Sequence, residues 1–222
     1  MTAEQHNLKR IMELRAEFER RATRFVSITI ARGGSRRYPR KNLALICGRS
    51  LVEWGVLQSL SSHLVTDTYV STDDEEIADV GRKAGAKIIW RYESGHDVCG
   101  NVPFGHAIRQ IREYHPVDFV LCNLPTNPVR HPWDWDEAFC VFWEARKTDR
   151  KIHELIQLVP NLETVLHERL SENKSRPCLG NKNSFYMDAV GSSWNIADAD
   201  WYLSYVATAP KTDSEIDVAF TD

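Results

Sequence analysis

The sequence predicts a three-layer α/β fold with an open, mostly parallel sheet between two layers of helices. From residue 25 to about residue 145, short apolar segments alternate with longer segments of helical spacing. This repeated strand–helix order favours parallel strands, because each helix returns the chain to the same edge of the sheet. The unusual residues directly follow the predicted strands, at the edge where such sheets bind ligands.

Residues 1–24 are predicted to form an amphipathic helix that extends the domain at its N-terminus. Ile11, Leu14, Phe18 and Ala22 recur at steps of three and four residues among charged neighbours. We expect this helix to pack on the body of the domain. A dimer contact is the second interpretation.

The body of the domain is predicted to contain four strands before residue 145, at residues 25–31, 67–72, 87–90 and 118–122. Helices are predicted at residues 51–62, 74–84 and 102–114, and a further aromatic-rich helix follows His131 and Pro132. Capping explains Asp73 and Asp74 better than catalysis: Asp73 is expected to begin the third helix of the chain and Gly85 to end it. The aromatic helix carries Trp133, Trp135, Phe139, Phe142 and Trp143, and we interpret these residues as core.

Residues 145–222 are less periodic and contain several prolines and glycines. We interpret residues 145–190 as a lid or dimerisation segment, followed by a return of the chain to the sheet.

The composition limits the classes of function. The 222 residues suffice for one well-buried domain, and the net charge of −3 argues against a general nucleic-acid binder. No apolar run approaches the ~20 residues that cross a bilayer, and no signal-peptide core is found. Five cysteines without a C-x-x-C pair favour reduced thiols in the cytoplasm.

The segment Arg32–Asn42, here called the basic loop, carries the clearest chemical signal. It follows a predicted buried strand and contains Gly33, Gly34, Ser35 and five cationic side chains. Glycines permit close approach of the backbone, and their N–H groups can point at phosphate oxygens. Each charge-assisted hydrogen bond contributes about 1.5–3 kcal/mol, so four or five would hold a triphosphate in water. A solvated basic turn is the alternative.

The segment ITIARGGSRRYPRKNLALICGRSLVEW resembles the N-terminal signature of the cytidylyltransferases of the CMP-N-acetylneuraminate synthetase type. The resemblance continues through VSTDDEEIADVGRKAGAKIIWR and LPTNPVR, and weakly near GSSWNI and SEIDVAFTD. It implies a Rossmann-like nucleotidyltransferase fold for residues 25–222 and a homodimer.

The resemblance also implies a nucleotide site. Positions matching the triphosphate contacts are Arg32, Gly33, Gly34, Ser35 and Arg36, where arginine replaces the usual lysine. Lys41 matches the lysine expected to stabilise charge on the α-phosphate, so Lys41 and Arg32 are the candidate catalytic residues. Asn42 matches a contact near the ribose, and Arg91 matches an arginine that helps to read cytosine. Asn101 stands where the sialic acid synthetases usually have a serine that faces the base.

Metal and acceptor positions follow from the same resemblance. Glu215 and Asp217 match an Asp-x-Asp pair that binds Mg²⁺ (Mn²⁺ is also possible), with glutamate replacing the first aspartate. Leu124 stands where the family has a sugar-contacting glutamine, and a leucine cannot hydrogen-bond a sugar hydroxyl. Arg176 is the candidate partner of the acceptor's carboxylate.

The expected reaction is CTP-dependent transfer of CMP to the hydroxyl of an acidic sugar, such as a sialic acid or a related nonulosonic acid, with release of pyrophosphate. Two alternatives stay open: another acidic alcohol as acceptor, such as a phosphonate, or a family member that binds nucleotide without turnover. The expected partners are CTP and the sugar acid, with no nucleic acid and no membrane.

Overall fold

A computed structural model of the chain describes residues 3–35, 39–91, 101–126, 128, 133–150, 154–156 and 194–208. Within these ranges one sheet contains six strands: β1 (Phe25–Ile30), β4 (Asp67–Thr72), β5 (Lys87–Trp90), β6 (Phe119–Asn123), β7 (Glu154–Ile156) and β8 (Trp194–Asp198). Their order across the sheet is β5-β4-β1-β6-β8-β7. A separate two-residue hairpin joins β2 (Leu45–Ile46) to β3 (Arg49–Ser50).

Helices cover both faces of the sheet: α1 (Ala3–Arg21), α2 (Leu51–Ser61), α3 (Glu75–Ala84), α4 (Asn101–Arg112), α5 (Asp134–Thr148) and α6 (Ala199–Thr208). Successive residues of a strand point to opposite faces. Ile28 of β1 packs with α4 and α6, whereas Phe25, three positions before it, packs with α1 and α5. A third cluster joins Val70 of β4 to α2 and α3. The predicted three-layer, mostly parallel α/β architecture is therefore confirmed.

The strands β5, β4, β1 and β6 are parallel, but the sheet is completed by an antiparallel strand. β8 runs antiparallel to β6, with Phe119 opposite Asp198, and β7 pairs antiparallel to β8. The chain therefore returns to the sheet after residue 190, as the sequence predicted. Most of the predicted lid or dimerisation segment, residues 145–190, lies outside the described residues.

The predicted N-terminal helix is present and packs against α5. Ile11, Leu14 and Phe18 are buried in the cluster that α5 and the sheet share. Asn7 donates a hydrogen bond to Glu137 at 3.1 Å, and Arg10 donates one to the carbonyl of Cys140 at 2.8 Å. The helix thus lies on the domain body, which was the preferred interpretation.

Most of the predicted aromatic core is present. Phe139 contacts Phe18, Phe25 and Phe119 at ring-centroid distances of 5.2, 4.4 and 5.3 Å. Trp133 differs from the prediction: it precedes α5 and is 38% exposed. It stands at the N-cap position, one residue before α5 begins, and its backbone angles (φ −111°, ψ 9°) are not helical.

An ion-pair cluster lies at the edge of the sheet where the parallel strands begin. Asp67 at the start of β4 accepts hydrogen bonds from Arg24 and from Lys87, both at 2.7 Å. Burial opposes ionisation of Asp67, but the hydrogen bonds and charges of Lys87 and Arg24 outweigh it and lower the pKa of this carboxyl. The cluster therefore ties β1, β4 and β5 together while the carboxylate is ionised.

Within the described ranges, no helix has the length and apolar character needed to span a membrane.

Candidate nucleotide site

The candidate site lies at the carboxyl ends of the parallel strands. The ladder continues one residue past the strands, because Ala31 donates its N–H to Ser71 at 3.0 Å and Arg91 donates its N–H to Thr72 at 2.9 Å. The basic loop leaves β1 at this edge, and the segment after β4 begins there as well. This is the edge at which open α/β sheets bind ligands.

The two glycines of the basic loop have different surroundings. A Cβ atom built on Gly33 would lie 2.4 Å from Oδ2 of Asp74, so no other residue fits there without displacement. Gly34 is exposed, and a Cβ atom there would meet no atom within 4 Å. Neither glycine has the positive φ that a tight turn would demand. Gly33 therefore permits close packing against Asp74, while Gly34 faces open space.

Backbone donors of the loop are partly engaged by the protein itself. The N–H of Gly33 donates to Oδ1 of Asp73 at 2.9 Å, and the N–H of Ser35 donates to the carbonyl of Gly33 at 3.1 Å. The expectation that these N–H groups point at phosphate oxygens therefore does not describe Gly33 in this structure.

A hydrogen bond across the base of the loop joins its two ends. Asn42 is 5% exposed, and its Nδ2 donates to the carbonyl of Arg32 at 2.9 Å. Lys41, the residue before it, begins a 3₁₀ turn that runs Lys41–Leu43. The amide of Asn42 thus closes the loop, in addition to any contact near a ribose that the resemblance implies.

Arg91 follows β5 and carries buried donors. Nε and Nη2 of Arg91 are inaccessible to solvent and have no hydrogen-bond partner among the described residues. Burial lowers the pKa of the Arg91 guanidinium, nearby Asp73 opposes this effect, and nearby Arg32 adds to it. Buried donors without acceptors are costly, so this side chain is suited to a ligand that brings acceptor atoms.

The cap of α3 corrects a prediction. The helix is capped by Asp74, not Asp73: Oδ1 of Asp74 accepts the N–H of Ile77 at 3.0 Å. Gly85 ends the helix in the left-handed region with φ of 104°, as predicted. Either of the two neighbouring aspartates could cap the helix. Asp73 instead accepts a hydrogen bond from the N–H of Gly33, and Asp74 takes the cap position.

The basic loop also contacts the start of α3 through a side chain. Arg40 forms ion pairs with Asp74 and with Glu76. It adopts left-handed backbone angles, with φ of 58° and ψ of 26°. These contacts join residues 34 and 36 positions apart, and no local pattern in the sequence predicts them.

Leu124 follows β6 at the same edge. Its side chain is partly buried and packs against the apolar cluster that contains Ile28 and Phe104. The preceding Asn123 is fully buried and donates to Oγ1 of Thr29 at 3.0 Å and to the carbonyl of Gly55 at 3.2 Å. The LPTNPVR segment therefore starts from a fixed point, and an apolar side chain stands first in it.

Several predicted site residues lie outside the described residues: Arg36, Arg176, Glu215 and Asp217. Asn101 is the first residue of α4, and only its backbone is described. Within the ranges that are described, no group of three or more His, Cys, Asp or Glu could hold a metal ion. The predicted metal and acceptor-carboxylate sites thus remain predictions.

Solved structures with a similar fold include a CMP-2-keto-3-deoxy-manno-octonic acid synthetase and a cytidylyltransferase. A CMP-2-keto-3-deoxy-manno-octonic acid synthetase complexed with CTP superposes with a TM-score of 0.59 at 16% identity, covering 88% of this chain and 82% of that one. A cytidylyltransferase from Leptospira borgpetersenii gives a TM-score of 0.58 at 12% identity, covering 90% and 72%. The fold is therefore that of the Rossmann-like nucleotidyltransferases.

Sequence comparison identifies the family. A family model described as cytidylyltransferase matches residues 26–159. This chain belongs to the cytidylyltransferase family.

Two characterised relatives indicate the similarity within the family. N-acylneuraminate cytidylyltransferase A of Danio rerio is 35% identical over 123 residues, which are 54% of this chain and 28% of that protein. Pseudaminic acid cytidylyltransferase of Campylobacter jejuni is 44% identical over 103 residues, 45% and 44% of the two chains. The matched region thus spans less than half the length of these relatives.

Proposed function

We propose that this chain transfers CMP from CTP to the hydroxyl of an acidic sugar, a nonulosonic acid such as a sialic acid or a relative. In this reaction the acceptor oxygen attacks the α-phosphorus of CTP, the bond to the bridging oxygen breaks, and pyrophosphate leaves. The hydroxyl proton passes to solvent. The family membership and the names of the relatives support the reaction class.

The observation that supports the proposal most strongly is the set of buried donors that Arg91 carries at the carboxyl edge of the sheet. Burial lowers the pKa of the Arg91 guanidinium; the charge of Asp73 opposes this effect, and that of Arg32 adds to it. Nε and Nη2 of Arg91 lack acceptors within the described part of the chain. A polyphosphate with a base that bears acceptor atoms would supply both the negative charge and the missing acceptors.

The roles of the loop residues follow from position and charge. Phosphoryl and nucleotidyl transfer need little covalent work from the protein, so positioning and charge stabilisation dominate. We assign triphosphate contact to Arg32, Ser35 and Arg36, with Gly34 allowing close approach. We assign stabilisation of the α-phosphate charge to Lys41.

We further propose that Mg²⁺ is required, held mainly by Asp217 with help from Glu215. The cation would supply charge neutralisation between the triphosphate and the two carboxylates. Full activity in excess EDTA, or unchanged metal dependence of an Asp217→Asn variant, would remove this site.

The first test measures pyrophosphate release from CTP, ATP, GTP and UTP across a panel of sugar acids. We expect release with CTP and a nonulosonic acid, and little with the other nucleotides. Arg91→Ala should weaken CTP binding and reduce the ratio of the affinities for CTP and UTP. Equal binding of all four nucleotides by the wild type would exclude the base-reading role of Arg91.

A second acceptor class has a specific observation in its favour. Leu124 offers no hydrogen bond to a sugar, and its side chain packs into the core cluster. The same panel should therefore contain phosphonates with a free hydroxyl. CTP binding without pyrophosphate release from any acceptor would instead favour a family member without turnover.

A further inference from the structure

The two arms of the basic loop are tied to two adjacent carboxylates. Asp73 accepts the N–H of Gly33 at 2.9 Å, on the arm that leaves β1. Asp74 forms an ion pair with Arg40, on the arm that leads into the 3₁₀ turn. Consecutive residues at the start of α3 therefore hold both ends of one loop.

Helix capping accounts for only part of this arrangement. The cap needs one oxygen, and Oδ1 of Asp74 fills that role by accepting the N–H of Ile77. Oδ2 of Asp74 instead faces the loop, where it meets Arg40 and would collide with a side chain at Gly33. Asp73 is engaged with the loop rather than with the first turn of the helix.

The loop residue that makes the ion pair is held in an unfavourable backbone conformation. Left-handed angles cost a non-glycine residue about 1–2 kcal/mol, and Arg40 adopts them. Its guanidinium meets Asp74, with Glu76 as a second partner. The contacts offset the backbone cost, so the shape of this arm depends on the carboxylates of α3.

The ion pairs of Arg40 also distinguish its role from those of the other cations in the loop. Arg40 is directed toward α3 and its charge is balanced by Asp74 and Glu76. Arg32 and Lys41 flank the segment between the two ties. One cation of the loop thus maintains its shape, while the proposed function assigns the phosphates to the two flanking cations.

We propose that Asp73 and Asp74 are positioning residues that set the geometry of the basic loop for the nucleotide. The inference rests on the proposed nucleotide function. Asp73 fixes the arm at Gly33 and Asp74 fixes the arm at Arg40, so that both arms are held in place for the triphosphate.

The Asp74→Asn variant keeps a side chain that can cap α3 but removes the charge that pairs with Arg40. Asparagine caps a helix about as well as aspartate, so α3 should begin as before. The variant loses the charge that holds Arg40. We expect a melting temperature close to that of the wild type and a Kd for CTP raised roughly 10- to 100-fold, because small misplacements of binding groups are costly.

Arg40→Gly approaches the same contact from the other side. Glycine adopts the left-handed angles without strain, so the variant removes the ion pair while relieving the backbone. It should also fold and bind CTP more weakly. Glu75→Gln is the matched control, because Glu75 lies in the same first turn and pairs with Arg82 instead of the loop.

The measurements are the Kd for CTP by calorimetry, the melting temperature, and KM for CTP and for the acceptor. The inference predicts a raised Kd and KM for CTP in both variants, an unchanged KM for the acceptor, and wild-type values in Glu75→Gln. Wild-type CTP affinity in either folded variant would overturn it, as would a loss of melting temperature alone. A wild-type chain that binds no CTP would overturn the proposed function itself, and the inference with it.

Discussion

Lys41 begins the 3₁₀ turn that closes the basic loop, and its neighbour Asn42 fixes that turn to the carbonyl of Arg32. We predict that Lys41→Ala slows nucleotidyl transfer roughly 10²–10³-fold, because one preorganised charge donor is lost from the transition state. Single-turnover kinetics would measure the effect. Lys83→Ala, at an exposed position of α3, is the control and should retain full activity. Near wild-type turnover in Lys41→Ala would make Lys41 a surface cation.

Alanine substitutions at Gly33 and Gly34 test the packing of the loop, and the substitution at Gly34 is the control for the one at Gly33. Alanine at position 33 would place Cβ 2.4 Å from Oδ2 of Asp74, whereas alanine at position 34 meets no atom within 4 Å. We expect Gly33→Ala to lower the free energy of unfolding by about 1–3 kcal/mol, as overpacking does. Gly34→Ala should change it by less than about 0.5 kcal/mol. Urea denaturation of both variants would decide, and equal stabilities would contradict the described loop.

At the scale of elements, Asp67 joins the beginnings of three strands through Arg24 and Lys87. Its lowered pKa means that the folded state favours the ionised carboxyl. The resulting stability is present above the unfolded pKa near 4 and is lost as the pH falls through the folded value. Asp67→Asn should therefore cost about 1–2 kcal/mol at neutral pH, and this cost should disappear as the pH falls below the folded pKa of Asp67.

Chemical denaturation at neutral pH and at acidic pH measures this difference in the free energy of unfolding. Asp79→Asn is the control, because Asp79 pairs with Arg82 on the exposed side of α3 and such pairs contribute about 0–1 kcal/mol. A cost for Asp67→Asn that stays constant from neutral to acidic pH would show that the carboxylate charge is not what stabilises the edge.

Elements with strong periodicity could be predicted from the sequence, and those without it could not. α1, α2, α3 and the strand β4 agree with their predicted bounds to within a few residues, because apolar spacing and caps are local signals. The β2–β3 hairpin was missed. Its turn carries positive φ at both Cys47 and Gly48, and only the glycine announces such a turn.

The residues of the candidate site could be predicted from the sequence, but their contacts could not. The basic loop stands out by its glycines and cations alone. Its ties to Asp73 and Asp74 span 34 to 40 positions, and nothing in the local sequence encodes which of two aspartates turns toward the loop. The antiparallel approach of β8 to β6 depends likewise on a segment more than 70 positions away.

At the scale of the whole molecule, we predict a homodimer that associates through residues 145–190. This stretch is irregular in sequence and is not expected to form a core of its own, and the family resemblance implies a dimer there. Light scattering at micromolar concentration should give twice the chain mass. A Leu8→Ser/Met12→Ser variant tests the alternative contact through α1, where both side chains are 49% exposed. A monomeric wild type, or a dimer lost in that variant, would contradict the prediction.

The packing of α1 on α5 has a consequence for the order in which the chain acquires its structure during synthesis. The contacts of Asn7 and Arg10 with Glu137 and Cys140 each span 130 positions. At roughly 5–20 residues per second, the ribosome needs on the order of 6 to 25 seconds to make the chain between the end of α1 and its partner helix. Throughout that interval Ile11, Leu14 and Phe18 have no finished surface to cover them. We therefore expect the nascent helix to be open to chaperones that bind apolar segments, and its docking onto α5 to be a late step of folding.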